Sequence, residues 1–556
     1  MDNNAIADHF TLLSKLMDIH GENSFKAKSY SIAAYTIETL PVELSTLSKE
    51  KIFAIKNIGE NIGQKIIDLQ ETGSLSILNE YLAKTPEGVL ELLKIKGLGP
   101  KKIGFLWKES GIESVAELLD ACNENRLSSL KGFGEKTQQN IKETIEYLSS
   151  HEGRFLFAQV EKYSLGLLNR LKKEFPHEKF ALTGDLARQL EIVDEVEFVT
   201  TADRKEVSGF LSLENLQPEI ETESRSAFRN ADHLLISFYF IDPQGWQALV
   251  FQKSSSPGFF EEWERRFPFE GEYRSEDDIF LKAGTDYIPP YMREDPNIIG
   301  IAEEHKMPPV LQPVEVKAII HSHSKWSDGA YDIAEMAEAA KRTGLEYLVL
   351  TDHSKSAFYA NGLSEERIKA QHRQIDDLNE KFAPFKIFKG IESDILNDGS
   401  LDYPDAVLAS FDLVIASIHS NQKMNEEKAT QRLISAIENP FTNILGHMTG
   451  RLLLKRKGYP VDHQKIIDAC AANNVVIEIN ANPRRLDIDW RWVDYCLEKG
   501  VMLSINPDAH SIEEFENVRY GVLVAQKAGL TRFNNLSSFG LKSFETFLKK
   551  QNEKRP

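Results

Sequence analysis

From position 316 onward, short apolar runs alternate with segments whose apolar residues recur every three to four positions. Seven such runs stand out: VKAIIHSH, YLVLTDH, FKIFKGIES, LVIASIH, NILGHM, VVIEINA and VMLSINPDAH. Strands alternating with helices read as a parallel sheet or barrel. Residues 1–150 keep the helical period throughout, as in AIADHFTLLSKLMDIH and KAKSYSIAAYTIETL, and three short loops interrupt it. These loops are Ile58-Gly59-Glu60-Asn61-Ile62-Gly63, Lys96-Gly97-Leu98-Gly99-Pro100-Lys101-Lys102 and Lys131-Gly132-Phe133-Gly134-Glu135-Lys136. Each follows an apolar helix end and opens a new helix, so one supersecondary unit is repeated. Between 151 and 250, helix-like runs alternate with the strand-like FALTG, VEFVTT, HLLISFYF and WQALVF, which predicts a small α+β domain. The breakers Ser254-Ser255-Ser256-Pro257-Gly258 and Ile288-Pro289-Pro290, followed by MPPVLQPVEV, mark 251–315 as a region ending in a linker. The expected domains are 1–88, 89–150, 151–250, 251–315 and 316–556.

Composition narrows the class. A chain of 556 residues is too long for one core, and 41% hydrophobic with 27% charged residues is the balance of ordinary globular protein. MDNNAIADHF has no basic leader, and no run reaches the ~18 apolar residues of a membrane span, so a cytoplasmic protein without a membrane partner is expected. Cys122, Cys470 and Cys496 show no CxxC spacing, which fits a reducing compartment. A net charge of −19 opposes general attraction to nucleic acid, so any DNA contact must be local.

The chemistry lies where the C-terminal strands stop. His321 and His323, Asp352 and His353, Glu392, His419, His447, and Asp508 with His510 all terminate apolar runs. In a barrel those ends converge on one face, and imidazoles with carboxylates are ligands that Mn, Zn or Fe accept. A single histidine at a strand end is more often a satisfied polar residue. Six of the chain's fourteen histidines at five strand ends point to a metal site.

These residues carry a resemblance over Lys317 to Phe547, to the PHP domain of bacterial family X DNA polymerases. The matching motifs are His321-Ser322-His323 with Trp326-Ser327-Asp328-Gly329, Thr351-Asp352-His353-Ser354-Lys355-Ser356, and Gly390-Ile391-Glu392 with NDGSLDYP. They continue in Ala416-Ser417-Ile418-His419-Ser420, Gly446-His447-Met448-Thr449-Gly450-Arg451, Glu478-Ile479-Asn480 and Asn506-Pro507-Asp508-Ala509-His510-Ser511. The resemblance implies a distorted (β/α)7 barrel holding two or three divalent ions and no organic cofactor. It implies one ion on His321, His323, Glu392 and Asp508, a second on Glu392, His419 and His447, and a third on Asp328, His353 and His510. Glu392 bridges two of them. Lys355 and Arg451, just past ligands, are candidates to bind phosphate oxygens.

The three loops resemble helix-hairpin-helix motifs, whose backbone amides bind DNA phosphate without reading sequence. Gly59, Gly97, Gly99, Gly132 and Gly134 allow the close approach, and Lys101 and Lys102 add local positive charge. Residues 1–150 nevertheless hold 17 basic against 21 acidic residues. Residues 151–300 fall at the palm and thumb of the same family, with AGTDYIPPYMRED thumb-like. The palm departs from the pattern. Gly184-Asp185 stands where Gly-Ser meets a triphosphate, Glu195-Val196-Glu197 replaces Asp-x-Asp, and HLLISFYF lacks the third Asp. Glu195 and Glu197 then read as surface charge on a strand, and no lysine is assigned to the lyase nucleophile of some relatives. The expectation is a monomeric, metal-dependent DNA phosphoesterase with an inactive polymerase core. Its activity would be that of a 3′–5′ exonuclease, with cutting at abasic sites or cleaning of 3′ ends. An active polymerase with an attached nuclease and a small-molecule phosphatase of the histidinol-phosphate type are the alternatives.

Overall fold

Apolar residues three and four apart give helix Asn3–His20 a single buried stripe of Ile6, Phe10, Leu13 and Met17. Asp2 caps its start by accepting from the Ala5 amide, and Gly21, at φ 79°, ends it. The structure is a computed structural model that describes residues 1–40 and 42–555. It divides into two compact units, Met1–Glu152 and Gly153–Pro556. All regular structure described in the first unit is helical, and its apolar side chains make one core running from Ile6 to Ile145.

The three hairpin loops share one conformation. A residue in the left-handed region comes first, then a buried apolar residue, then a glycine that caps the next helix. The left-handed residues are Asn57, Gly97 and Gly132, at φ 68°, 93° and 88°. Ile58, Leu98 and Phe133 plug the core, and Gly59, Gly99 and Gly134 open helices Glu60–Thr72, Pro100–Ser110 and Glu135–Ser149. Asn57, one position before the loop as the sequence delimits it, fills the role that glycine has in the other two.

The second unit begins with a two-stranded piece, β1 (Phe155–Leu156) against β3 (Ile192–Val193). A five-stranded sheet follows, made of β2 (Phe180–Thr183), β4 (Glu195–Thr200), β5 (Gln217–Glu221), β6 (Arg225–Arg229) and β7 (Leu235–Phe240), in the order β2-β4-β7-β6-β5. WQALVF, expected as a strand, is helix Trp246–Lys253. Six residues are too few to separate the two periods, and burying Phe251 in an aromatic cluster with Phe259, Trp263 and Phe280 decides it. The hairpin β5–β6 was not expected. Its outer strand QPEIE is a mostly exposed edge with no apolar alternation.

All seven C-terminal runs form strands: β8 (Ala318–Ile319), β9 (Tyr347–Leu350), β10 (Lys386–Asp394), β11 (Leu413–Ser417), β12 (Ile444–Leu445), β13 (Val476–Asn480) and β14 (Leu503–Asn506). They lie parallel in sequence order. Beyond the ends of β14 and β8 a single bridge, Ser322 to Ala509, nearly closes the barrel through bonds from the His323 amide to Ala509 (2.8 Å) and from the Ala509 amide to His321 (3.1 Å). Helices Ile333–Arg342, Glu365–Phe382, Glu426–Ile437, His463–Asn473 and Val518–Lys527 bury their apolar faces against it.

The sheet domain is pinned to this barrel. Buried Glu191, ahead of β3, accepts from Arg491 (2.8 Å) and from the Trp490 indole (3.2 Å), and Leu156 enters the barrel's apolar cluster.

Candidate metal centre

A strand that ends in His, Asp or Glu delivers that side chain to the barrel mouth, and six strand ends do so here. Glu392 lies at the centre, fully buried. Its Oε1 is 3.0 Å from His447 Nε2, 3.2 Å from His419 Nε2 and 3.4 Å from His321 Nε2. Its Oε2 is 3.0 Å from His353 Nδ1 and 3.7 Å from His323 Nε2. On the side of β14, Asp508 Oδ1 stands 3.1 Å from His323 and 3.4 Å from His321. At the rim, Asp328 Oδ2 is 3.6 Å from both His353 and His510. The rings of His353 and His510 each stack against His323, at 4.3 and 4.2 Å, and lie 6.1 Å from one another. All nine expected ligands therefore meet at one mouth.

Their grouping departs from the expected sets: Glu392 does not join His321, His323 and Asp508, and His447 joins no group. Ligand atoms within 4.8 Å of one another form three groups: His321, His323 and Asp508; His353, Glu392 and His419; and His323, Asp328, His353 and His510. His353 and His323 are shared between groups. The donors fit divalent cations on a second count. Buried polar atoms are rarely left without a hydrogen bond, yet His321 Nε2, His323 Nδ1, His353 Nδ1, His447 Nδ1 and Glu392 Oε2 have none.

An outer layer fixes the ligands. Glu478 accepts from His321 Nδ1 (2.7 Å), so Nε2 faces Glu392 and Asp508, and Asn506 and Asn480 hold the Glu478 carboxylate at 2.9 Å each. Asp394 pairs with His419 Nδ1 at 2.6 Å and accepts from Ser356 Oγ at 2.6 Å. Asp352 is no ligand. Fully buried, it accepts from the Ser324 amide (2.8 Å) and hydroxyl (2.7 Å), from Ser327 Oγ (2.5 Å) and from Gln371 (2.6 Å), which shapes the turn that presents Asp328. A side chain at Gly329 would strike the His323 carbonyl, 2.1 Å from an added Cβ.

Charge in the mouth is balanced by its own imidazoles. Burial opposes protonation of His419, but Glu392 and Asp394 outweigh it and lift the pKa to about 10. His510 reaches about 9 against burial through Asp328 and Asp508. Burial, with His510 and His353 as neighbours, drives His323 to about 3. Burial pushes Glu392 up, yet His419, His321 and His353 hold it well below the carboxylate range. A site that draws this much positive charge onto its carboxylates suits cations, and a bound cation must displace protons.

The two expected phosphate ligands are placed differently from each other. Lys355 is exposed at the rim, with Nζ 5.1 Å from the Tyr403 ring. Arg451 is turned into the protein: Nε donates to the Arg485 carbonyl (2.8 Å), Nη2 to the Leu486 carbonyl and Nη1 to Asp489 (2.5 Å). Its bidentate fork is not free, which corrects the expectation. Arg485 comes nearest the ligands instead, its Nε 3.8 Å from Asp508 Oδ2. Lying five residues beyond Asn480, the nearest motif position considered, it carried no signal in the sequence. Phe358 and Tyr359 were likewise missed. They are 86% and 60% exposed, and the Tyr359 ring centroid is 6.5 Å from that of His353.

In the palm-like sheet the carboxylates are neither bare nor at the surface. Half-buried Glu195 is paired with Arg225 (2.5 Å) and accepts from Ser237 (2.8 Å), the residue beside Glu197 on the neighbouring strand. Burial, together with Glu195, raises Glu197 to about 7. Asp185 accepts from Arg188 (2.8 Å) and from the Asp194 amide (3.0 Å). The surface-charge expectation for Glu195 and Glu197 is thus corrected: both are half-buried, Glu195 in an ion pair and Glu197 desolvated beside it.

At the hairpins, a Cβ added at Gly59, Gly97, Gly99, Gly132 or Gly134 meets nothing within 4 Å, so the glycine amides border open space. Lys101 is exposed, whereas Lys102 is half-buried with Nζ 5.1 Å from the Phe133 ring.

Family models of a helix-hairpin-helix domain, a SAM-like helix-hairpin-helix tandem and a PHP domain match residues 1–75, 89–146 and 320–482. The chain is 32% identical over 560 residues to a DNA polymerase/3′-5′ exonuclease PolX of Bacillus subtilis, covering 96% of this chain and 97% of that protein. It is 30% identical over 223 residues to a probable phosphatase of a Thermoanaerobacter species, covering 38% of this chain and 86% of the other. With a probable phosphatase of Vibrio atlanticus it shares 31% over 211 residues, 35% of this chain and 79% of that one. Among the described residues, no helix is long and apolar enough to cross a membrane.

Proposed function

This chain belongs to the PolX family of bacterial family X DNA polymerases with a C-terminal PHP domain, and from that premise we propose that it is a metal-dependent 3′–5′ exonuclease on DNA. The observation that carries the reading is the undiminished ligand set: nine donors at one mouth in a chain that also holds three open hairpin loops. Its range extends to abasic sites and blocked 3′ ends. The protein works as a cytoplasmic monomer on the DNA backbone, without reading sequence.

His321, His323, Glu392 and Asp508 would hold one ion, Glu392 with His419 and His447 a second, and Asp328, His353 and His510 a third. His353 would serve both the second and the third, since it groups with Glu392 and His419 as well as with Asp328 and His510. Divalent ions held there supply the Lewis-acid charge for phosphodiester hydrolysis and a water acidic enough to ionise near neutral pH. The protein orients the rest. Glu478 and Asp394 fix the tautomers of His321 and His419. Arg485, in place of Arg451, faces the scissile phosphate from the Asp508 side, and Lys355 from the opposite rim.

The palm does not transfer nucleotides in this reading. Arg225 neutralises Glu195 where a catalytic ion would have to sit, and Glu197 holds a proton near neutrality. The decisive assay offers single-stranded, duplex, abasic and 3′-phosphate DNA and a small phosphomonoester, each with Mn, Zn or Mg. Mononucleotides released stepwise from 3′ ends are expected. Hydrolysis of the phosphomonoester alone would instead favour a small-molecule phosphatase, the name that several barrel relatives carry.

A further inference from the structure

Phe358 and Tyr359 lie at the tip of a loop, His353 to Leu363, that begins at a metal-ligand candidate and is tied down at both ends. Ser354 bridges Leu363, whose amide donates to the His353 carbonyl at 2.9 Å. Arg367 holds the Asn361 carbonyl at 2.7 Å, and the Ser356 amide donates to Asp402 at 2.6 Å. A loop so fixed does not hide its aromatic rings by folding back. Phe358 nevertheless leaves 86% of its surface in water and Tyr359 60%, although burial of such rings is favourable. Their centroids are 6.0 Å apart with the planes at 77°, so they cannot clamp one flat group between them. Each offers its own face, and Tyr359 does so within a ring's width of His353.

From this we infer that Phe358 and Tyr359 form a stacking platform for unpaired bases at the 3′ end of a nucleic-acid strand. Tyr359 takes the terminal base and Phe358 the next. The occupant follows from position. A group stacked on Tyr359 is delivered directly to the ligand mouth, and the flanking cations Lys355 and Arg485 suit the phosphates on either side of it. Bases present their faces only when unpaired, so single strands and frayed ends are preferred over blunt duplex. The inference deepens the exonuclease reading and rests on it for the identity of the substrate.

The test uses the full-length, Mn-loaded protein with Phe358→Ala, Tyr359→Ala, the double variant and Tyr359→Phe. One readout is kinetic: cleavage of a single-stranded oligonucleotide, and of the same strand lacking its terminal base. The other is spectroscopic: quenching of 2-aminopurine at the 3′ end of a strand whose last linkage is an uncleavable phosphorothioate. The double variant should raise KM for the normal strand about tenfold to a hundredfold with kcat nearly unchanged, and lose the quench. Tyr359→Phe should retain both. The base-less strand should be as poor for the wild type as the normal strand is for the double variant. An undiminished quench and a wild-type KM in the double variant would overturn the platform, as would an equal further loss on the base-less strand, which marks simple collapse of the loop. A wild-type protein that quenches 2-aminopurine but cleaves no DNA would leave the platform standing and refute the exonuclease reading.

Discussion

The ammonium of Lys527, at the end of the barrel helix Val518–Lys527, donates to the main-chain carbonyl of Arg188 in the palm-like domain at 2.6 Å. It is wholly buried, 3.8 Å from Glu294 and 4.8 Å from the Trp490 ring. Barrel, palm and thumb thus share one interior charge. Burial pulls its pKa down to about 8, with Glu294 and Glu191 opposing the shift. A lysine depressed in the folded state binds fewer protons there than in the unfolded chain between about pH 8 and 10.5, so its contribution to stability grows as pH rises through that window. Lys527→Met abolishes this dependence. Relative to the variant, the wild type should gain up to about 3 kcal/mol between pH 8 and 10.5 in denaturant unfolding of the second unit. Parallel stability curves for the two proteins would contradict the assignment.

Glu392→Ala should lower hydrolysis of every substrate at least about a thousandfold, because the carboxylate meets five imidazoles and its loss disturbs more than one ion. Elemental analysis should show fewer ions per chain, while DNA binding stays within about twofold. Full metal content in an inactive variant would place Glu392 outside the coordination set.

Glu478→Gln keeps the shape but exchanges a carboxylate acceptor for an amide beside His321 Nδ1. Metal affinity should fall about 10- to 100-fold, and activity should return when more Mn is supplied. Loss that excess metal cannot restore would mean that Glu478 acts otherwise than through His321.

Lys101→Ala should weaken binding to all DNA sequences alike and reduce the slope of log K against log salt by about one. Lys102→Ala should do less, since its ammonium is already drawn to the Phe133 ring. Equal effects from the two, measured by anisotropy across a salt series, would show that this difference in exposure does not matter to DNA.

Templated extension of a primer should be undetectable with Mg or Mn. Relief of the Arg225–Glu195 pair by Arg225→Ala should not create it, because Glu197 and Asp185 remain unsuited. Extension that disappears on Glu195→Ala would contradict the inactive-palm reading.

The barrel was legible because all but one of its strands are apolar runs ended by a metal-ligand type, so period and chemistry agree, as in YLVLTDH or VMLSINPDAH. Eight of the nine ligand candidates came from that coincidence, and Asp328, in a loop, came from the resemblance alone. Local pattern failed where tertiary context decides. WQALVF fits either period until an aromatic cluster claims Phe251, and QPEIE shows nothing strand-like until β6 pairs with it. Arg451 looked catalytic because it follows His447 closely, but sequence cannot tell which way the chain turns between them. That turn gives Arg451 to Asp489 and leaves Arg485 beside Asp508. Phe358 and Tyr359 belong to no periodic segment, and only exposure makes them notable.

The seam that joins Ser322 to Ala509 has a consequence for how the chain comes into being. The strands meeting there are the first and the last of the barrel, and they bring His321 and His323 to Asp508 and His510. A ribosome must therefore deliver the entire barrel before its earliest ligands meet their final partners. Half-made chains thus hold all three hairpin loops while their ligand mouth is still incomplete.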